Sequence, residues 1–102
     1  MPERNLNVAI SAEWIVTNKV GLHARPAANF VKTATSYRAS ISVENLSKGT
    51  RVVNAKSMLS VLSIQVQSQD RIRVTSEGDD ERAAMAALAE LIESHFGEEI
   101  KP

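Results

Sequence analysis

The hydrophobic residues of this chain recur with two different periods, and the shorter period predicts strands. Segments 12–17, 40–45 and 70–78 alternate between apolar and polar residues, as half-buried strands do. Segment 46–49 has the composition of a turn, so segment 50–55 predicts a short strand that returns along 40–45 as a hairpin. The residues expected to face inward are Trp14, Val16, Ile41, Val43, Ile72 and Val74.

A period of 3.6 residues predicts two long helices with a short one between them. From Ala24 onward the apolar residues follow i, i+3, i+4, i+7 spacing, and segment 81–96 carries a second stripe of this kind. Segment 57–64 is too apolar for one buried stripe, and we expect Val61 and Ile64 to face inward there. The two long stripes consist of Ala27, Phe30, Val31, Ala34, Ala84, Leu88, Leu91 and Ile92.

The order of these elements is strand, helix, strand, strand, short helix, strand, helix. Strands that are half polar need only one covered face, which predicts an α+β fold with a four-stranded antiparallel sheet and helices on one side. A chain of 102 residues suffices for one domain with a modest core. We expect that domain over residues 12–97, with a flexible extension over 1–11 and a short tail over 98–102.

Composition excludes several classes of protein. The chain has no cysteine and only two distant histidines, so we expect no disulfide, no metal site and no cofactor. It lacks a nucleophile elbow of the G-x-S-x-G type, which argues against a serine hydrolase. Aromatic residues are 4% and the net charge is zero, so we expect no nucleic-acid partner. Without a long apolar run or a signal peptide, we expect a cytoplasmic protein with no membrane contact.

Charge is unevenly distributed along the chain. Residues 1–56 include eight basic and three acidic residues, a net charge of +5, whereas residues 57–102 include four basic and nine acidic ones, a net charge of −5. A basic neighbourhood would attract anions or acidic partners, although a scattered, solvated surface has the same composition.

The stretch GLHARPAANF places a histidine, an arginine and a proline at the predicted start of the first helix. Gly21 leaves the preceding backbone free to turn the ring outward, and Pro26 suits the first helical turn, where no intrahelical N–H is needed. His23 would then be the N-cap, where free amides and the helix dipole favour an anion and an uncharged, nucleophilic imidazole. A phosphoryl group on His23 would find the Arg25 guanidinium nearby. The alternative is that His23 only caps the helix and Arg25 is a solvated charge.

A second candidate site lies in SMLSVLSI, residues 57–64. Ser57 is a good helix N-cap, and that alone would explain it. Met58, Leu59 and Leu62 cannot all be buried together with the inward residues, and exposed apolar patches are often contact sites. We hypothesise that these three residues, with nearby basic side chains, dock the acidic or apolar faces of partner proteins.

Two stretches, GLHARPAANFVKTA and NAKSMLSVLSIQ, resemble the active-site and regulatory-serine regions of the HPr family. That family comprises the histidine-containing phosphocarriers of the bacterial phosphoenolpyruvate-dependent sugar phosphotransferase system. The likeness extends from about Glu13 to Phe96. It implies an HPr-like open-faced β-sandwich, in which a four-stranded antiparallel sheet carries three helices on one face in the order β-α-β-β-α-β-α.

The resemblance also implies a role for each matched residue. His23 would take a phosphoryl group on Nδ1 from enzyme I and pass it to the IIA component of a sugar transporter, while Arg25 would stabilise the group. Ser57 would be phosphorylated by HPr kinase/phosphorylase and would affect a transcriptional regulator. The protein would then be a monomeric carrier and not an enzyme with turnover of its own. The supporting turn and helix start would be Gly21, Ala24 and Pro26.

Two alternatives stay open, and three residues depart from expectation or need a separate explanation. The alternatives are an HPr paralogue in a nitrogen-related or regulatory phosphorelay, and an interaction module switched at Ser57 in which His23 is idle. Val20 stands where some family members have a polar residue, and Gln65 stands where a small one, often glycine, is usual; the latter puts regulator recognition in question. We expect His95 to be a solvated residue at the negative end of the last helix.

Overall fold

The computed structural model describes residues 9–97 and contains the predicted elements in the predicted order. After α3 the chain forms one turn of 3-10 helix, His95–Gly97. The strands are β1 (Ile10–Ile15), β2 (Ser40–Asn45), β3 (Val53–Asn54) and β4 (Arg71–Glu77), and the helices are α1 (Ala24–Thr35), α2 (Met58–Ser63) and α3 (Glu81–Glu93).

The four strands form one antiparallel sheet in the order β1-β4-β2-β3. Central strand β4 pairs with β1 on one side and with β2 on the other, and its register places Val74 opposite Val43 and Ile72 opposite Trp14. Apolar side chains of neighbouring strands therefore meet on one face, as the alternating pattern predicts. The α+β fold with its antiparallel sheet is confirmed.

The helices cover this apolar face and complete the core. The α1 stripe is buried as predicted, except that Val31 is only half-buried. In α3 the sequence pattern missed Met85, which is buried, whereas Leu91 is half-buried. Phe30 and Phe96 are fully buried and meet edge to face, with ring centroids 6.1 Å apart and an interplanar angle of 71°. Such a pair stabilises the fold by about 0.5–1.5 kcal/mol beyond the stabilisation that comes from burying the two rings.

The opposite face of the sheet is polar. Arg73 on β4 contacts a carboxylate on each side: Nη2 lies 3.1 Å from Glu13 Oε2 on β1, and Nη1 lies 3.4 Å from Glu44 Oε2 on β2. These side chains are partly exposed, so each pair contributes only about 0–1 kcal/mol. Because this face of the sheet is polar and can remain in water, the sheet needs helices on its other face alone.

Asp80, directly before α3, fastens the connection between α1 and β2. Its Oδ2 accepts a hydrogen bond from Arg38 N at 2.9 Å, and its Oδ1 accepts one from Ala39 N at 2.8 Å. The Arg38 N–H, together with that of Ala39, holds the pKa of the Asp80 carboxyl below its ordinary value, although desolvation opposes this. The far end of α1 is thereby tied to the start of α3.

The first strand starts earlier than the sequence pattern indicated. β1 begins at Ile10, and Ile10 and Ser11 pair with Ser76 and Thr75 of β4. These two residues therefore belong to the sheet and not to an extension before it. The remainder of the proposed extension up to residue 8, and the proposed tail 98–102, lie outside the described residues.

The predicted end of the last helix is wrong by three residues. α3 ends at Glu93 because His95 and Phe96 have left-handed backbones, with φ of 61° and 58°. This turn directs Phe96 into the core. It also leaves His95 half-buried, with Nδ1 3.1 Å from Thr17 Oγ1, so the expectation of a solvated histidine is not met.

The returning strand of the hairpin is shorter than predicted. β3 has only the two residues Val53 and Asn54, which pair with Val43 and Ser42, and the predicted segment begins with a residue of the turn, Thr50. Its N–H donates to Asn45 O at 3.1 Å, and its Oγ1 accepts from Asn45 N at 3.0 Å. These two bonds close the turn that was predicted over 46–49.

Candidate functional site

The turn that carries the histidine is anchored on the segment that follows α2. Leu22 is buried, and its N–H donates to Val66 O at 3.0 Å. Gly21 has φ of 67°, and a Cβ placed on it would lie 2.3 Å from Val66 O. Asn18 Nδ2 donates to Gly21 O at 2.9 Å. Only glycine fits at residue 21, because both the backbone angle and the close approach exclude a side chain.

His23 is the N-cap residue of α1, as the sequence predicts. Its backbone is extended, its side chain is exposed, and that side chain makes no capping hydrogen bond to the helix. The first-turn amides of a helix have no intrahelical partner, so the N-terminus of α1 keeps its capacity to bind an anion. The imidazole is therefore exposed next to backbone amides to which it is not itself hydrogen-bonded.

The backbone directly after the histidine is left-handed. Ala24 has φ of 49°, which costs a residue with a Cβ about 1–2 kcal/mol. Strained residues of this kind cluster at functional sites. Pro26 is buried in the first turn of α1, where its missing N–H removes no helical hydrogen bond. Both residues thus occupy the helix start to which the sequence assigned them.

Arg25 follows in the same helical turn and is exposed. Among residues 9–97 it forms no ion pair, so within that part of the chain its guanidinium is free to bind an incoming anion. Arginine suits this role because its planar donors match two oxygens of a phosphoryl group at once. Arg25 is thus one basic residue of the N-terminal half that lies near the histidine in sequence.

An open cavity of about 460 Å³ lies between the histidine turn and the end of α2. Of the predicted site residues, His23 and Leu62 line it. Arg25, Ser57, Met58 and Leu59 do not, so the structure unites only part of the predicted set in this cavity. The other lining residues are Val20, Leu22, Gln65, Val66 and Gln67.

The short helix α2 forms one side of this region. Ser57 is its N-cap, and Ser57 Oγ accepts a hydrogen bond from Ser60 N at 3.2 Å, which confirms the capping role. Val61 and Ile64 are buried as predicted. Met58 and Leu62 are half-buried against the core, whereas Leu59 is 82% exposed. α2 therefore presents an apolar surface next to the histidine.

A polar network, which the sequence analysis missed, holds the segment 65–70 in place. Asp70 Oδ2 accepts hydrogen bonds from Lys48 Nζ at 2.5 Å, Gln67 N at 2.9 Å and Asn45 Nδ2 at 3.0 Å. Partial burial raises the pKa of the Asp70 carboxyl, but the bonds from Lys48, the Gln67 N–H and Asn45 outweigh it and lower the pKa. A signal was present, because Asn45 is a polar residue at an inward position of an alternating strand.

Two classes of site can be assessed within residues 9–97. No group of three histidine, cysteine or carboxylate side chains there could hold a metal ion. No helix in the same part of the chain is both long and apolar enough to cross a bilayer.

Comparisons with known proteins identify relatives of this chain. A family model described as the PTS HPr component phosphorylation site matches residues 10–94. Phosphocarrier protein HPr of Xylella fastidiosa strain 9a5c is 44% identical over 87 residues, 85% of this chain and 94% of that protein. The multiphosphoryl transfer protein of Haemophilus influenzae is 36% identical over 90 residues, 88% of this chain but only 18% of its own length.

A solved structure shows the same fold. HPr-C-His from Thermoanaerobacter tengcongensis superposes with a TM-score of 0.82 at 45% identity, covering 89% of this chain and 99% of that one. The fold and the comparisons together define a phosphocarrier domain. The chain belongs to the HPr family of the phosphotransferase system.

Proposed function

We propose that this protein accepts a phosphoryl group on His23 from phospho-enzyme I and passes it to the IIA component of a sugar transporter in the cytoplasm. One observation carries the proposal: His23 is exposed at the start of α1 and its side chain does not cap the helix. The ring can therefore meet a partner while the helix amides remain available to a bound anion.

The transfer needs only a nucleophilic ring nitrogen and donors that stabilise the phosphoryl oxygens. Nδ1 of His23 attacks the phosphorus as the bond between phosphorus and the donor's nitrogen breaks, and the reverse exchange delivers the group to the acceptor. Negative charge spreads over the three phosphoryl oxygens, so stabilisation by positioned donors supplies most of the catalysis. The α1 amides and the Arg25 guanidinium are those donors. Each cycle returns His23 unchanged, so the protein is a carrier without turnover of its own.

A direct experiment tests this assignment. The protein is mixed with phosphoenolpyruvate and enzyme I, and the formation of an acid-labile phosphoryl adduct is followed over time. We expect the adduct in the wild type, none in His23→Ala and slower formation in Arg25→Ala, because the guanidinium stabilises the transferred group. Arg38→Ala is a matched control, since Arg38 is also exposed but lies beyond the opposite end of α1. An adduct that survives in His23→Ala would refute the assignment.

We further propose that phosphorylation of Ser57, by HPr kinase/phosphorylase where the cell has one, regulates this transfer and signals to a transcriptional regulator. A phosphoryl group would add about −1.5 to −2 charges at the N-terminus of α2, next to the surface that partners contact. That charge would oppose an acidic partner. We expect Ser57→Asp to accept the phosphoryl group more slowly than the wild type, and an unchanged rate would contradict regulation by charge.

The identity of the acceptor is the finer part of the proposal. Similarity to a multiphosphoryl transfer protein means that HPr-like domains also occur within larger phosphotransfer proteins. Incubation of the phosphorylated protein with sugar-specific IIA components and with a nitrogen-related paralogue of IIA would separate the two kinds of relay. We expect faster transfer to a sugar-specific component. Faster transfer to the nitrogen-related component would replace this assignment with the alternative relay.

A further inference from the structure

Gln65 has a backbone conformation that its residue type disfavours. It follows the C-cap residue of α2, it has φ of 48°, and its N–H donates to Leu62 O at 3.2 Å. Helices commonly end on a left-handed residue, and glycine is the usual one because it has no Cβ. The helix end therefore explains the backbone angle but not the glutamine.

The fold makes no visible use of the Gln65 side chain. This side chain is exposed, and within residues 9–97 it forms no hydrogen bond. It does line the cavity that His23 also lines. Strained backbone conformations cluster at functional sites, and Gln65 lies in the same cavity wall as His23.

Gln69 provides a comparison within the same segment. It is also an exposed glutamine with a left-handed backbone, at φ of 77°. Its N–H donates to Val16 O at 2.6 Å, so its backbone, like that of Gln65, is held by a hydrogen bond. It does not line the cavity. The two glutamines thus differ chiefly in their position relative to His23.

We propose that Gln65 is a specificity-determining residue, whose carboxamide hydrogen-bonds to the protein that brings a phosphoryl group to His23. The inference rests on the proposed function and deepens it. The cavity is open, so a donor that aligns its phosphorus with the ring must cover the residues around it. A carboxamide both donates and accepts hydrogen bonds, and it can pair with a peptide group or a polar side chain of the partner.

The test compares Gln65→Gly, Gln65→Ala and Gln69→Gly in steady-state phosphorylation by phospho-enzyme I and in thermal unfolding. Both glycine variants relieve left-handed strain, so we expect the Tm of each to rise by about 4 °C. We expect KM for the carrier to rise about 5-fold in both Gln65 variants, with kcat and the hydrolysis rate of the phosphohistidine unchanged, because one hydrogen bond is lost. Gln69→Gly should keep the wild-type KM.

Several results would overturn the inference. A KM within twofold of wild type in Gln65→Gly would show that the side chain does not contact the donor. A normal KM in Gln65→Ala alone would assign the effect to glycine flexibility, and a lower Tm in Gln65→Gly would assign the side chain to the fold. An effect on kcat or on phosphohistidine hydrolysis alone would mean that the Gln65 side chain contacts the phosphoryl group and not the donor protein. A wild-type protein that takes no phosphoryl group would overturn the proposed function and this inference together.

Discussion

Replacing Gly21 with alanine tests how the histidine turn is held. The new Cβ would lie 2.3 Å from Val66 O and 2.8 Å from Gln67 Cα, and both of these are backbone atoms that no rotamer change can move. The turn must therefore shift away from the segment after α2. That shift breaks or lengthens the 3.0 Å hydrogen bond from Leu22 N to Val66 O, which positions the residue before His23.

The expected cost of Gly21→Ala follows from two contributions. Alanine at a left-handed φ costs about 1–2 kcal/mol, and the lost backbone hydrogen bond costs about 0.5–1.5 kcal/mol. Gly49→Ala is a matched control, because Gly49 has φ of 65° but no atom lies within 4 Å of the position that an added Cβ would take. The reduced entropy of the unfolded chain is common to both variants and cancels in the comparison. The difference of about 1 kcal/mol isolates the contact with Val66.

Urea unfolding followed by circular dichroism measures both variants. We expect Gly21→Ala to lower the free energy of unfolding by about 1 kcal/mol more than Gly49→Ala, and its Tm by a further ~4–8 °C. The rate of phosphorylation should fall only in Gly21→Ala, because only that change displaces His23. Equal losses of stability, or a normal rate of phosphorylation in Gly21→Ala, would refute the proposed anchoring of the turn.

Three further predictions concern the core, the polar network and the contact surface. Phe96→Ala should lower the free energy of unfolding by about 3–5 kcal/mol in a urea titration, because the ring is fully buried. The pKa of Asp70 is lower in the folded protein than its ordinary 3.8, so its contribution to stability is present above pH 3.8 and is lost as the pH falls through the folded value. Asp70→Asn should therefore reduce the loss of stability on acidification. Leu62→Asp should raise the KM for both transfers about tenfold and also lower Tm, because the side chain is half-buried against the core, whereas Val52→Asp, exposed and outside the cavity, should leave both KM values unchanged.

Each of these predictions has an outcome that contradicts it. A loss below about 1 kcal/mol in Phe96→Ala would mean that the ring is not a main part of the core. Acid unfolding that is as steep in Asp70→Asn as in the wild type would remove this carboxylate from the pH dependence. Equal KM values for Leu62→Asp and Val52→Asp would show that the cavity wall is not a contact surface.

The regular elements were predictable because burial on one face sets a local period. The alternation around Ile41 and Val43 and the stripe through Ala27 and Phe30 are buried as predicted. Ser57 was predictable as a cap because its partner, Ser60 N, lies three residues away. Signals of this kind depend on neighbours in sequence, so the chain shows them without its fold.

The contacts that support the site were not predictable from local pattern. Asp80 binds amides 41 and 42 residues away, and Lys48 meets Asp70 across 22 residues. The left-handed backbones of Ala24 and Gln65 carry no local signal either, because neither residue is a glycine. Only the folded chain displays these long-range contacts and these two backbone conformations.

The histidine motif is an intermediate case. Its position at the start of a helix follows from sequence, but four residues cannot decide between a cap and an acceptor. What the fold adds is the cavity, whose wall includes Leu62 and Gln65, roughly forty residues further along the chain. Composition could argue against other chemistries, yet it could not place these elements side by side.

Helix α1 is held at both of its ends. Before it, Leu22 is bonded to Val66, and after it, the amides of Arg38 and Ala39 are bonded to Asp80. We expect a helix whose flanking residues are restrained in this way to keep its tilt when a dianion is added to its first turn or removed from it. We therefore expect the loaded and unloaded carriers to have nearly the same shape, so that each successive partner distinguishes them by charge and not by conformation.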